Sequence, residues 1–229
     1  MVVTAMIASR LQANLKCGII TTTRFPKEIQ KDISRLGVDV ENALQSRMFR
    51  IADWYTCITG RVPADLPDDM PASLKIEELG LLTSKYWHTG KGLSPDSDPE
   101  FIEFAVFDNL TRLFNYNEGN VCFKFLNTML ARLKQDTRTV VCGFATGVLE
   151  KKDYSNLESM FDGVVDVDTI EAGGGIHTIV RVRSFPDAKH TKGWYAVRSL
   201  PDRVSLMPVS QMGPGAQRAA SSFVNTLQG

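Results

Sequence analysis

The chain has 229 residues, of which 43% are hydrophobic, 9% aromatic and 23% charged, an ordinary globular composition that excludes a disordered or fibrous chain. Lysine plus arginine and aspartate plus glutamate balance at 26 each, so no global charge argues for nucleic acid or a membrane surface as partner. Cys17, Cys57, Cys122 and Cys142 are widely spaced and fit no zinc pattern; with no signal-like start and no run near ~20 apolar residues, they predict a cytoplasmic protein with reduced thiols.

Taken in chain order, Thr4–Lys16 carries apolar residues at helical spacing and stops at Gly18. Cys17–Thr23 is a short apolar, β-branched run and predicts a buried strand. Lys27–Leu36 and Val40–Arg47 read as helices, and Met48–Thr56 as a second strand. Residues 60–71 and 89–99 have loop chemistry, with a weakly helical stretch at 74–82 between them. Phe101–Phe107 predicts an apolar strand ending on Asp108-Asn109. Val121–Lys134 predicts an amphipathic helix, Thr139–Ala145 a buried strand and Ser155–Phe161 a short helix.

From Gly163 the pattern becomes β-rich. Strands are expected over 164–170, 177–185 and 194–199, the first turn being made by Ala172–Gly175. Residues 208–229 read as a flexible tail. Strands alternating with helices predict a three-layer α/β/α fold over residues 1–207, its mostly parallel sheet carrying a β-rich C-terminal extension along one side. Ligands of such sheets bind at the carboxyl ends of the strands. Asp108 stands at such an end, the place for an acid that holds Mg²⁺ or its water, although a turn aspartate reads the same way.

Three segments in order carry a resemblance. They are GIITTTRFPKEI with a helix ending RLGVD, the apolar strand closing on Asp108-Asn109-Leu110 followed by a helix and TVVCGFA, and LESMFDGVVDVD followed by HTIVRVRSF. Together they resemble the RecA-like ATPase core, most closely its KaiC-like branch, whose pattern runs from a strand like VTTEESP through a strand ending Asp-Ser to a late "lfDgvi" strand. The resemblance covers roughly residues 4–207. It implies ATP and Mg²⁺ as cofactors when a phosphate loop is present, with Asp108 in the metal-facing role and Thr23, Arg24 and His190 at the nucleotide.

The chain departs from that pattern in three places. No GxxxxGK[ST] occurs in the 229 residues, and Gly90-Lys91-Gly92 neither follows a buried strand nor ends in Ser or Thr. The glutamates that polarise the attacking water are replaced by Thr23 and Arg24, which leaves no base. Of the late Lys-x-Arg-Gly-x-x-His run only His190 survives, and an ordinary loop histidine is its plainer reading. RecA-like sheets also set the strand before the phosphate loop between those matching 140–145 and 164–170. Its place is left to residues upstream of Met1, to direct pairing or to a partner.

Three functions follow from the resemblance. One is a regulatory or signal-transduction protein that does not hydrolyse ATP and works by assembly, as a homo-oligomer, with a related RecA-like subunit or with another protein. Another is a DNA-recombination mediator using Arg181, Arg183, Lys189, Lys192 and Arg198 of a C-terminal quarter with net charge +4 over 171–229. The last is an active ATPase whose true start lies upstream.

Overall fold

The apolar run at Cys17 forms a strand, β1 (Cys17–Thr21), that is buried at every position, the environment of a central strand in a parallel sheet. In this computed structural model the described residues are 2–58, 76, 102–135, 139–186, 188–200 and 203–220. The expectations for the loops at 60–71 and 89–99, the helix at 74–82 and Gly90-Lys91 therefore lie outside the described residues. The chain divides into two compact units, Met1–Lys151 and Lys152–Gly229.

The first unit opens with α1 (Val2–Gln12), whose Arg10 guanidinium stacks 5.7 Å from the ring centroid of Phe104. After β1 come α2 (Pro26–Ser34), α3 (Val40–Gln45), β2 (Phe49–Asp53) and α4 (Tyr55–Ile58). Pro26 opens α2 with its φ already helical, and the Glu28 carboxylate accepts the Phe25 N–H at 3.0 Å. Asp39 caps α3 by accepting the Asn42 N–H. Next follow β3 (Phe104–Phe107), α5 (Thr111–Tyr116), α6 (Gly119–Gln135) and β4 (Thr139–Cys142). The order in the sheet is β2-β1-β3-β4, all parallel. Its core holds Ile19, Ile20, Phe104, Val106 and Phe107, each no more than 1% exposed.

The second unit contains α7 (Lys151–Ser159) and four strands, β5 (Val164–Ala172), β6 (Gly175–Ser184), β7 (Tyr195–Ser199) and β8 (Val204–Pro208). They form an antiparallel sheet in the order β5-β6-β7-β8. The β-rich extension is thus an antiparallel sheet of its own. The 139–142 and 164–172 strands are members of different sheets. Gly173 and Gly174, at φ 59° and 77°, make the two-residue turn that joins Ala172 to Gly175 and pair β5 with β6 along one edge.

The tail expected from residue 208 onward is packed as far as Ala220. Val209, Ala216 and Ala220 fill a core with Ile170, Ile179 and Ala196, and helical residues 214–220, α8, begin at Pro214 directly after Gly213. Small apolar residues at helical spacing explain the packing.

Candidate functional site at the strand ends of the parallel sheet

The carboxyl ends of β1 and β3 meet because the two strands are paired in register from Cys17↔Phe104 to Ile20↔Phe107. One step further the Asp108 N–H donates to the Ile20 carbonyl at 3.2 Å, which brings the Asp108 carboxylate against the loop after β1. There it accepts five hydrogen bonds. Oδ1 takes the Thr22 N–H at 2.8 Å and the Thr22 hydroxyl at 2.9 Å. Oδ2 takes the Thr23 hydroxyl at 2.6 Å, the Thr23 N–H at 3.2 Å and the Thr21 hydroxyl at 3.0 Å. Two of these hydroxyls have a second acceptor, since Thr21 Oγ1 is also 2.7 Å from the Arg24 carbonyl and Thr22 Oγ1 2.9 Å from the Asn109 carbonyl.

The network runs on toward β4. The Asn109 side-chain oxygen accepts the Thr111 N–H, and Thr111 Oγ1 accepts the Ala145 N–H at 2.8 Å. The Leu110 N–H donates to the Gly143 carbonyl at 2.8 Å. This last approach is so close that a Cβ on Gly143 would stand 2.1 Å from the Asp108 carbonyl oxygen, so the position admits glycine alone. On the other side of β1, the Trp54 N–H donates to the Thr21 carbonyl at 3.0 Å, and buried Asp53 accepts the Thr56 N–H.

Of the residues expected at a nucleotide, the structure brings the side chains of Asp108 and Thr23 together. Thr23 is bonded directly to Asp108. Arg24 points elsewhere, its guanidinium 2.8 Å from the Asp32 carboxylate on α2. His190 belongs to the second unit, where its Nδ1 lies 2.9 Å from the Ala188 carbonyl of its own loop. Asn109 enters through its carbonyl, and Thr111 and Gly143 through their partners, roles that carry no composition or spacing signal. Beside the site Phe25, 45% exposed, meets Tyr55 edge to face at 4.7 Å, and Arg112 sits 5.8 Å from the Tyr55 ring centroid.

No family model matches the chain, and no curated protein matches it. Solved structures do. The KaiC-like protein PH0186 of the hyperthermophilic archaeon Pyrococcus horikoshii OT3 is 14% identical, with 90% of this chain and 84% of that one covered at a TM-score of 0.62. The fold is KaiC-like. The uncharacterized protein PH0321 of Pyrococcus horikoshii, crystallised with an unknown peptide, is likewise 14% identical, with 90% and 85% covered at a TM-score of 0.63. A KaiC-like, RecA-type fold implies ATP and Mg²⁺, so the donor set decides whether this site fits them. A carboxylate offers about four lone-pair sites, and here three donors of Thr22 and Thr23 hold Asp108 without competition while two shared hydroxyls crowd the remainder. That arrangement does not fit a directly bound cation. Among the described residues, no group of three or more His, Cys, Asp or Glu side chains is placed to hold a metal.

Proposed function

We propose that the chain is a KaiC-like, RecA-fold protein with a regulatory role, which does not turn over ATP and acts by assembling with a protein partner. The partner is a second copy or a related RecA-like subunit. The observation that carries this reading is the chemistry at Thr23 and Arg24. The KaiC-like pattern has glutamates there to polarise water, whereas Thr23 donates to Asp108 at 2.6 Å and Arg24 is paired with Asp32. No carboxylate stands at either position to take a proton. The neighbour PH0321 was crystallised with a peptide, which supports a partner made of protein.

The DNA-mediator reading is disfavoured by the second unit. Arg181 is 2.8 Å from Asp166 and Arg183 is paired with both Asp166 and Glu158, so two of its five basic residues already have internal anions. The deciding experiment is calorimetric titration of ATP·Mg into the purified chain, with phosphate release measured in parallel. Expected are weak or no binding and no turnover. Without the several N–H donors and lysine of a phosphate loop, each worth roughly 1.5–3 kcal/mol, even two or three missing contacts weaken binding about a thousandfold. Micromolar affinity with turnover would overturn the proposal.

A further inference from the structure

We infer that Asp108 is an internal anion filling the donor nest of Thr21–Thr23, and that its carboxylate is a structural clasp and not a cation ligand. The backbone N–H groups of Thr22 and Thr23 converge on one carboxylate at 2.8 and 3.2 Å. Successive N–H groups aimed at one point form an anion-binding concavity, and the Thr23 hydroxyl at 2.6 Å completes it. In most nests the anion is a ligand. Here the chain supplies it from the end of the neighbouring strand, 85 residues away in sequence.

Two consequences distinguish a clasp from a metal ligand. A clasp contributes to folding in the absence of any cation, because charge-assisted hydrogen bonds to a carboxylate are roughly twice as strong as neutral ones. A divalent cation adds nothing, since to reach either oxygen it must displace threonine donors that have no other anion to turn to. The clasp also acts as a unit: Thr23 and Asp108 stabilise through the same bond, so their removal is not additive.

The test is thermal unfolding of the full chain, without nucleotide, for wild type, Asp108→Asn, Thr23→Val and the double variant, each with and without excess Mg²⁺. The expected midpoint of the wild type is unchanged by Mg²⁺. Both single variants melt several degrees lower, and the double variant melts little below Asp108→Asn. Should Asp108→Asn not fold, the wild-type Mg²⁺ titration and the milder Thr23→Val still decide. A Mg²⁺-dependent rise of the wild-type midpoint overturns the inference, as do single variants that melt like wild type or losses that simply add. Since no nucleotide is present, the outcome is independent of whether the chain turns over ATP.

Discussion

At the scale of single residues, the energetics concentrate where a side chain has one permitted identity. Gly143 is such a position, because a methyl group would enter the Asp108 carbonyl at 2.1 Å and backbone on both sides must then shift. Gly143→Ala is expected to cost about 2–3 kcal/mol, the range of overpacking in a tight site, read as a lower denaturant midpoint with unchanged slope. Asp166 is the second. Its side chain and that of Arg181 are each 13% exposed, Arg183 adds a contact at 3.1 Å, and Arg181 stacks over Trp194 at 4.7 Å. Asp166→Ala strands those cations and is expected to destabilise by about 3 kcal/mol, while Arg183→Gln costs clearly less. Asp108 was legible in the sequence as an acid closing an apolar run, and Thr21–Thr23 as the end of another. The need for glycine at 143 was not, since it is imposed by a carbonyl from a different strand.

At the scale of elements, the strands with strong apolar or β-branched runs were legible, with ends that stop short of expectation: Cys17–Thr21 for 17–23 and Thr139–Cys142 for 139–145. The chain leaves the ladder where threonine hydroxyls and Gly143 take over the hydrogen bonding. Helix Thr111–Tyr116 and strand Val204–Pro208 were not read, the first for its shortness and the second for a proline and two serine-flanked apolar residues that blur alternation. The junction of α1 and β1 gives a measurable consequence. Cys17, 1% exposed, has its thiol donating toward the Leu15 carbonyl at 3.4 Å. Burial first, and the Glu103 charge second, push its pKa up to about 12. Burial likewise raises Cys122 to about 11. The folded state therefore keeps protons that the unfolded chain releases near pH 9. Stability is whole below pH 9 and falls as pH rises toward 11–12, by about 1.4 kcal/mol per pH unit for each thiol at most. Urea midpoints across alkaline pH check this, with Cys17→Ala and Cys122→Ala expected to flatten the decline.

At the scale of the molecule, the α/β class was legible because alternating strand and helix patterns leave few other arrangements. The division into Met1–Lys151 and Lys152–Gly229 was not, because hydrophobic pattern marks strands without saying which strand each one joins. No described helix is long and apolar enough to cross a membrane. The +4 of residues 171–229 invites a DNA assay, yet the charge balance over the whole chain is zero and Arg181 and Arg183 are paired. Binding to duplex DNA at physiological salt is expected to be weak or absent. A tight complex whose affinity falls steeply with salt, the mark of phosphate contacts, would contradict this.

Val165 and Val167 are 55% and 53% exposed, and β5 ends the order of its sheet with one side lacking a strand among the described residues. A long, β-branched edge of this kind is a template for fibre growth. Asp166 and Asp168 alternate with those valines, and two copies laid antiparallel about Val167 would set the Asp166 of each opposite the Asp168 of the other. Asp166 is already balanced by Arg181 and Arg183, but covering Asp168 with a second strand would strip water from its carboxylate, so Asp168 serves as a gatekeeper against aggregation. Asp168→Val removes that guard while leaving Asp166 and its arginines in place. It should produce turbidity that grows with protein concentration and light scattering from elongated particles, where the wild type stays clear.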